Sequence, residues 1–316
     1  MLTSENGILE KTDQTVATIA DFGVQALVSI ELSRQFPYIP LVAEEDSGYL
    51  CKNNLVGAVA NVVNSKINPS GSESTEDEVL KAIDRGVMKP SANGDKKSSY
   101  WLLDPIDGTK GFVKGCGALY VVGLALIVKN EIVFGVMGCP NWQENESSSS
   151  EFGTIMVAYN GCGTWTRKIS HNPDESSNSS HNWTRRFVRD CSSISNAHFC
   201  IPESQTWESI PISNLYKNEV VVLSPCCGSL CKYIMVASGK ASAFIQRSKS
   251  QTSIKAWDHA VGQICVLEAG GKVTDWNGER LDFSADQEQR RVIFPSGGIV
   301  VTNGTLHNQI LEILNL

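Results

Sequence analysis

Carboxylates follow apolar segments at three separate points of this chain, and this repetition constrains its fold more than any other feature. Glu44 follows the apolar run 39–43, Asp104 follows the run 100–103, and Asp258 opens a helical pattern. In α/β proteins, ligand groups collect at the ends of strands. Carboxylate oxygens suit Mg²⁺, which keeps several waters and works on phosphates. We therefore expect the three segments to meet at one divalent-metal site.

The string from Asp104 to Thr109, D-P-I-D-G-T, predicts how two of the carboxylates converge. The proline after Asp104 fixes its φ and lacks an amide donor, so the chain turns sharply. Asp104, Asp107 and the carbonyl of Ile106 can then face one point. Gly108 lets the backbone approach a ligand. A helix that begins at Thr109 would add free N–H groups that attract an anion. Carboxylates, metal and amides together are what phosphoryl transfer requires.

Each piece also has a simpler structural explanation when it stands alone. Glu44 can be a solvated loop residue, a D-x-x-D pair can be a capped turn, and Asp258 can cap a helix. Only the six-residue string is specific, and it is the reason for interpreting the three points together.

Composition and charge limit the class of protein and its partners. The 316 residues are 41% hydrophobic and carry a formal net charge of -7. Such a chain can form one large core or two fused cores, and it lacks the positive charge of a nucleic-acid or anionic-membrane binder. No apolar run approaches the length of a membrane span. The ten cysteines lack zinc-site spacing and are expected as reduced, buried thiols. We expect a small-molecule substrate, no nucleic acid and no membrane partner.

The order of predicted elements favours two halves of different architecture. A helical pattern covers 20–35, and short apolar strands follow it, with a hairpin turn predicted near Lys129. Residues 64–78 are polar and loop-like. The second half alternates strands and helices. We place the boundary in a Ser- and Asn-rich stretch, which gives an N-terminal α+β metal-binding half over 1–178 and a C-terminal α/β half over 179–316 that completes the site.

Four motifs, in this order, resemble those of the lithium-sensitive inositol monophosphatase superfamily. They are Lys11-Thr-Asp13, Glu44-Glu-Asp46, Asp104-Pro-Ile-Asp-Gly-Thr109, and Trp257-Asp-His-Ala-Val-Gly262 with Glu268-Ala-Gly-Gly271. The resemblance runs nearly end to end. It implies an α/β (α+β) fold, a layered αβαβα sandwich of the inositol monophosphatase and fructose-1,6-bisphosphatase type, and phosphatase activity that depends on Mg²⁺.

Within this superfamily the chain is similar to the 3'(2'),5'-bisphosphate nucleotidases, in particular their plant branch. The likeness rests on segments 107–112 and 228–233, on Arg247 and on Trp257-Asp-His259. It implies hydrolysis of the 3'-phosphate of adenosine 3',5'-bisphosphate to AMP and phosphate, with 3'-phosphoadenosine 5'-phosphosulfate as a further candidate substrate. Two alternatives stay open: an inositol (poly)phosphate phosphatase, and a degenerate, non-catalytic nucleotide-binding member of the same superfamily.

The resemblance assigns metal-binding roles to five positions. Glu44, Asp104 and the carbonyl of Ile106 would hold a first Mg²⁺ ion. Asp104, Asp107 and Asp258 would hold a second. The superfamily uses two or three ions in all, as suits the charge of a phosphoryl group in transfer.

The resemblance also assigns catalytic and substrate-binding roles. Asp13 and Thr109 would orient and activate the attacking water, with help from Glu44. The implied substrate contacts are Gly108, Thr109, Ser229, Lys232, Arg247 and Asp258. Those that would hold the remaining 5'-phosphate are Ser229, Lys232 and Arg247. A nucleotide with two phosphates needs a second anion site away from the metals, and arginine can grip a phosphate through two donors.

Three departures from the family pattern accompany the resemblance. Val16 stands where the family usually has proline, and His198 is the candidate, without a firm register, for a histidine that relatives place near adenine. Family members also carry a helix pair before the motif at Lys11, and its absence here is the reason for the degenerate alternative. Residues 1–10 resemble neither a signal nor a transit peptide. We expect a cytoplasmic location as the chain stands, with mitochondrion or chloroplast open if a transit peptide is missing.

Overall fold

Two β-sheets organise the chain, with helices on both faces of each. The structure is a computed structural model that describes residues 8–10, 16–67, 73–87, 99–144, 153–169, 183–216, 219–225, 228–248 and 253–315. Within these residues the layers follow the order helix, sheet, helix, sheet, helix. The predicted layered mixture of α and β structure is therefore confirmed.

The first sheet has seven strands and comes almost entirely from the predicted first half. In spatial order its strands are β3 (Leu41–Ala43), β4 (Tyr100–Asp107), β5 (Val121–Val128), β6 (Glu131–Cys139), β7 (Thr154–Tyr159), β8 (Gly163–Lys168) and β9 (Thr184–Arg186). β3 and β4 are parallel, and every later pair of neighbours is antiparallel. Lys129 and Asn130 have φ angles of 52° and 66° and join β5 to β6, which confirms the predicted hairpin.

The second sheet has five strands, all from the second half. In spatial order they are β11 (Val221–Leu223), β10 (His198–Cys200), β12 (Ala243–Arg247), β16 (Gly298–Thr302) and β14 (Lys272–Asp275). β10 is parallel to β11 and β12, whereas β16 is antiparallel to β12 and β14. Two antiparallel ribbons complete the described strands: β1 (Ile8–Glu10) with β2 (Val16–Thr18), and β13 (Ile254–Lys255) with β15 (Val292–Ile293).

Nine α-helices lie in the described part of the chain. They are α1 (Ile19–Gln35), α2 (Gly48–Lys52), α3 (Val56–Ile67), α4 (Glu76–Asp84), α5 (Thr109–Lys114), α6 (Ser213–Tyr216), α7 (Leu230–Ala237), α8 (Ala260–Glu268) and α9 (His307–Leu314). α1 packs on one face of the first sheet, α7 and α8 lie between the sheets, and α9 covers the far face of the second. None of these helices is both long and apolar enough to cross a bilayer.

Helix α1 positions the segment that carries Glu44. A capping box starts the helix, because the Thr18 hydroxyl accepts from the N–H of Ala20 and the Asp21 carboxylate accepts from the N–H of Thr18, at 3.2 and 2.7 Å. Further along, the buried side chain of Gln25 donates to the carbonyl of Glu45 at 2.6 Å and accepts from its N–H at 2.9 Å. These paired bonds fix the chain just after β3, where the first acidic motif stands.

The stretch 64–78 is not the single loop that its polar composition indicated. α3 extends to Ile67, and α4 begins at Glu76. Thr75 and Glu78 form a second capping box, in which the Glu78 carboxylate accepts from the N–H of Thr75 at 2.8 Å. The acidic residues that made this stretch read as a loop are therefore the first turn of a helix.

The first sheet extends beyond the predicted boundary at residue 178. Strand β9 follows that boundary and pairs with β8 of the first sheet. The chain passes to the second sheet between Arg186 and His198. The main hydrophobic core contains side chains from both sheets and from α7 and α8, so the two halves share one interior. A division into 1–178 and 179–316 stays a prediction.

Candidate active site

Three carboxylates meet where the two sheets come together. Asp104 and Asp107 of β4 and Asp258, just before α8, each offer an oxygen, and these oxygens lie within 4.8 Å of one another. Asp104 and Asp107 are buried, and Asp258 is partly exposed. The structure thus brings together three of the four predicted acidic ligands. Glu44 is outside this 4.8 Å set among the described residues, although it stands at the neighbouring strand end.

An irregularity in β4 makes the convergence possible. Asp104 and Asp107 are three residues apart, so a regular strand would direct them to opposite faces. The pairing of β4 with β5 shifts register between these two residues, and the extra backbone turns both carboxylates to one side. Pro105 lies inside this irregularity, where its missing N–H leaves no ladder bond unmade.

Asp107 links the first sheet to the start of α7. Its Oδ1 accepts from the N–H of Ser229 at 3.1 Å, and its Oδ2 accepts from the N–H of Leu230 at 2.6 Å. A Cβ on Gly228 would lie 2.3 Å from Oδ2, and Gly228 has a φ of 70°, so only glycine fits there. Burial raises the pKa of Asp107 to about 6, although the Leu230 N–H and the charge of Lys232 act against this rise.

The cluster is a concentration of buried negative charge. Burial, and after it the charges of Glu44, Asp107 and Asp258, raise the pKa of Asp104 well above its usual range. Burial and then the charge of Asp107 raise the pKa of Asp258 in the same direction. Oδ1 of Asp104 is buried and has no hydrogen-bond partner among the described residues. Unpaired buried carboxylate oxygens of this kind fit a divalent cation, which supplies both the charge and the missing ligand bond.

Glu44 approaches the cluster from the parallel neighbour of β4. Ala43 pairs with Leu103 in the β3–β4 register, so Glu44 follows β3 beside Asp104. The carbonyl of Glu44 accepts from Nη2 of Arg291 at 2.9 Å, which holds this strand end against the second half. Glu44 therefore stands at the strand end next to Asp104, on the rim of the cluster.

Thr109 contacts Asp21, an acid that lies outside the predicted motifs. Its hydroxyl lies 3.1 Å from Oδ1 of Asp21 and 3.0 Å from the carbonyl of Ile106, as donor to either. Oδ2 of Asp21 accepts from the N–H and hydroxyl of Thr18, at 2.7 and 2.6 Å. Burial raises the pKa of Asp21 to about 6, against those bonds from Thr18. The signal in the sequence was an acid among the buried positions of an apolar helix, which needs a polar partner.

Asp13, the predicted partner of Thr109, lies outside the described residues, as does Lys11. Its role in activating water stays a prediction. Gly108 has a φ of 86°, and α5 begins directly after it at Thr109, as predicted.

The described residues predicted to hold a second phosphate lie at one end of the second sheet, the end where its parallel strands terminate. Ser229 precedes α7, and Lys232 is buried one turn later, where its Nζ donates to the carbonyl of Gly228 at 2.6 Å. β10, β11 and β12 are parallel, so Arg247, at the C-terminal end of β12, lies at the same end of the sheet as the start of α7. Arg247 is exposed, and its Nη1 donates to the carbonyl of Ser209 at 3.2 Å.

His198, the adenine candidate, is at the other end of the same sheet. It is the first residue of β10, and its backbone N–H bonds the Ser242 hydroxyl at 3.1 Å, before β12 begins. Because the carboxylate cluster lies at the C-terminal ends of these strands, His198 stands away from it.

Solved structures share this fold. The IMPase of Thermotoga maritima superposes with a TM-score of 0.61 at 18% identity, over 98% of this chain and 87% of that protein. An IMPase/NADP phosphatase complexed with Mg²⁺ and phosphate gives a TM-score of 0.61 at 17% identity, again over 98% of this chain and 87% of the other. At such identities the likeness establishes the fold alone, and it confirms the predicted sandwich type.

Curated relatives cover the whole chain. It is 55% identical over 325 residues to a protein of Arabidopsis thaliana named "Putative 3'(2'),5'-bisphosphate nucleotidase, mitochondrial", over 100% of this chain and 81% of the relative. It is 32% identical over 326 residues to 3',5'-bisphosphate nucleotidase 2 of the same plant, over 98% of this chain and 88% of the relative. The sequence profile described as "Inositol monophosphatase family" matches residues 3–315. This chain belongs to the inositol monophosphatase family.

Proposed function

We propose that this protein is a Mg²⁺-dependent 3'(2'),5'-bisphosphate nucleotidase that hydrolyses the 3'-phosphate of adenosine 3',5'-bisphosphate to AMP and phosphate. The observation that carries the proposal is the buried cluster of Asp104, Asp107 and Asp258, placed beside the Thr109–Asp21 pair. The relative that is 55% identical supports the substrate class. 3'-Phosphoadenosine 5'-phosphosulfate shares the 3'-phosphate and is a second candidate substrate.

The chain's own oxygens fit the metal. Asp104, Asp107 and Asp258 would hold Mg²⁺, with Glu44 and the carbonyl of Ile106 completing the ligands of two or three ions. Bound there, Mg²⁺ would neutralise the phosphate and lower the pKa of a coordinated water.

Thr109 and Asp21 suit the handling of the water proton. When the Thr109 hydroxyl donates to Oδ1 of Asp21, its oxygen is left with a free lone pair that can accept from a water. The water then points its own lone pair at the phosphorus, and its proton can pass through Oγ1 to Asp21. The raised pKa of Asp21, about 6 through burial, is near the working range of a general base. Asp13 remains a second candidate for this role.

The 5'-phosphate would bind at the C-terminal ends of the parallel strands of the second sheet. Ser229 and Arg247 lie at that end, and Lys232 adds positive charge one turn into α7. Gly108 and Thr109 would contact the 3'-phosphate, with Asp258 across the cluster. The charges here are what distinguish a bisphosphate from an inositol monophosphate, which has no second phosphate to place.

A phosphate-release assay over a small panel tests the proposal. The panel is adenosine 3',5'-bisphosphate, 3'-phosphoadenosine 5'-phosphosulfate, 3'-AMP and inositol 1-phosphate, each with Mg²⁺ and with a chelator. We expect the highest kcat/KM on adenosine 3',5'-bisphosphate and no release with the chelator. Preference for inositol 1-phosphate would establish the inositol phosphatase alternative. Release from none of the four would establish the non-catalytic alternative.

We include a mitochondrial location in this proposal. It rests on the printed name of the relative that is 55% identical, and a cytoplasmic location is the competing expectation. Subcellular fractionation with an antibody against the native protein separates the two, because the protein should sediment with a mitochondrial marker enzyme.

A further inference from the structure

Two adjacent helices each determine the place of one carboxylate in the cluster. The first backbone N–H groups at the start of α7, from Ser229 and Leu230, bind the carboxylate of Asp107. Asp258 lies two residues before the first residue of α8, Ala260. The separation of Asp107 and Asp258 therefore depends on how α7 sits against α8.

A hydrogen bond joins α7 to the residue that precedes α8. The hydroxyl of Tyr233 on α7 lies 3.0 Å from Nδ1 of His259, the residue between Asp258 and α8. Both side chains are fully buried, and their rings meet edge to face at 5.7 Å between centroids. Tyr233 also belongs to the first turn of α7, because its N–H donates to the carbonyl of Ser229 at 3.3 Å.

The ring of Tyr233 lies directly against the backbone of α8. A Cβ on Gly262 would be 2.2 Å from Cγ of Tyr233, so the helices can approach this closely only at a glycine. Phe244 also packs against the ring, edge to face, at 5.5 Å between centroids. Packing thus fixes the orientation of the Tyr233 ring, and the hydroxyl bond to His259 fixes the position of the ring along the axis of α8.

We propose that Tyr233 and His259 are positioning residues that hold α7 and α8 in register, so that Asp107 and Asp258 are spaced to bind a divalent cation. This inference rests on the metal centre in the proposed function. Neither side chain needs to touch the metal or the substrate, because each acts through the backbone of the helix that carries or binds a ligand. Groups that orient metal ligands in this way commonly change cation affinity when they are lost.

The first test compares two Tyr→Phe variants. Tyr233→Phe removes the hydroxyl and keeps the ring. Tyr100→Phe is the matched control, because Tyr100 is also buried and its hydroxyl also makes one bond, as donor to the carbonyl of Phe283 at 3.0 Å, at the opposite end of β4 from the cluster. Calorimetric titration of each metal-free protein with Mn²⁺, without substrate, measures cation affinity. Urea unfolding of the same samples measures stability.

We expect Tyr233→Phe to weaken Mn²⁺ binding about tenfold, and Tyr100→Phe to bind as the wild type does even though its unfolding midpoint falls. Equal affinity in Tyr233→Phe and wild type would overturn the inference. Equal weakening in both variants would also overturn it, because that result reports general destabilisation. Absence of Mn²⁺ binding in the wild type would overturn the metal centre itself, which separates that failure from a failure of the positioning role.

His259 provides an independent second test. Its Nε2 is buried without a partner among the described residues, so Nδ1 makes the bond that matters. His259→Asn places an amide atom near the position of Nδ1 and should keep Mn²⁺ affinity close to that of the wild type. His259→Leu fills similar space without a polar atom and should weaken binding as Tyr233→Phe does. Retained affinity in His259→Leu would contradict the role of the bond.

Discussion

Removing the hydroxyl of Thr109 tests its role in water activation without changing the shape of the side chain. Thr109→Val keeps the shape of the side chain and deletes the bond to Asp21. If the hydroxyl positions the water and carries its proton, kcat should fall about a hundredfold or more while KM changes little. Steady-state kinetics on adenosine 3',5'-bisphosphate at saturating Mg²⁺ measure both constants. Thr109→Ser keeps the hydroxyl and should retain most of kcat.

Two aspartates are candidates for the proton acceptor: Asp21, which contacts Thr109, and Asp13, which the sequence resemblance implies. Asp21→Asn and Asp13→Asn each replace a carboxylate by an amide of the same shape. If Asp21 is the acceptor, Asp21→Asn should match the kcat loss of Thr109→Val, and Asp13→Asn should stay near the wild type. The reverse pattern would return the role to Asp13, as the sequence resemblance implies.

Asp104 links the chemistry of the cluster to the stability of the metal-free protein. A carboxyl whose folded pKa is raised adds stability that is complete below its unfolded pKa and is lost as pH rises through the folded pKa. Burial and neighbouring charges raise the pKa of Asp104, so the metal-free protein should lose stability as pH rises above the ordinary aspartate pKa of about 4. Asp104→Asn has no proton to lose and should flatten this decline, while abolishing turnover in Mg²⁺.

Thermal unfolding in a chelator at a series of pH values from about 4 upwards measures the decline. Wild type and Asp104→Asn contain the same histidines, so their contributions cancel in the difference between the two proteins. A decline as steep in Asp104→Asn as in wild type would remove Asp104 from the explanation. Turnover near the wild-type rate in saturating Mg²⁺ would contradict its role as a ligand.

Contiguity decided which site residues the sequence could identify. Asp104 and Asp107 stand in one six-residue string, so their convergence followed from local geometry. Asp21 is separated from Thr109 by 88 positions, and only the packing of α1 against the sheet brings them to 3.1 Å. A capping acid at a helix start has a sufficient local explanation, which is why its second contact was missed.

At the scale of elements, strongly apolar segments were predicted well and polar helix starts were not. The helix at 20–35, the hairpin at Lys129 and the strands around them agree with the structure, since burial gives them a clear period. α4 was missed because Glu76 to Glu78 read as a solvated loop. Acidic residues are favoured in a first turn by the helix dipole, so the same letters suit either structure until the cap is considered.

Helix α9 is attached to the second sheet through His307. Its Nε2 lies 2.9 Å from the Thr274 hydroxyl, which donates to the carbonyl of Asp275, and its Nδ1 lies 2.9 Å from the Thr302 hydroxyl. This arrangement uses the neutral ring, with Nε2 as donor and Nδ1 as acceptor. Burial lowers the pKa of His307 to about 4, so protonation costs the folded state both solvation and an accepted bond.

The lowered pKa of His307 predicts a pH-dependent stability with a definite sign. Its contribution is full above the unfolded value of about 6.5 and is lost as pH falls towards about 4, and amounts to about 3 kcal/mol at most. His307→Gln should therefore show a smaller loss of unfolding free energy than wild type between about pH 7 and about pH 5. Urea unfolding at both pH values measures this. His198→Gln, at a half-buried strand start, is the control and should follow the wild type.

For the molecule as a whole, the site belongs to neither half alone. The first sheet supplies Asp104 and Asp107, and the second half supplies Asp258 and the N–H groups that hold Asp107. Arg291 of the second half also holds the carbonyl of Glu44. The motif order in the sequence predicted that distant segments meet, but it gave no measure of how the halves share a core. That is a property of the packing of α7 and α8 between the sheets.

Substrate choice is the whole-molecule property that the second half should control. Arg247→Gln removes a charge at the exposed end of β12, and Lys232→Met removes a buried charge beside Asp107. Each charge-assisted contact with a phosphate is worth about 1.5–3 kcal/mol, which corresponds to about ten- to a hundredfold in kcat/KM. Arg280→Gln, at an exposed arginine paired with Glu131, is the control for loss of charge alone.

The two variants should differ in which substrates they affect, because their surroundings differ. Arg247→Gln should lower kcat/KM for adenosine 3',5'-bisphosphate by that factor and leave 3'-AMP, which lacks the 5'-phosphate, nearly unchanged. Lys232→Met should lower both substrates, because its charge also acts on Asp107 within the carboxylate cluster. Arg280→Gln should lower neither. Equal loss of kcat/KM on both substrates in Arg247→Gln would place the 5'-phosphate elsewhere. No loss on either substrate would show that Arg247, at the C-terminal end of β12, does not bind the second phosphate.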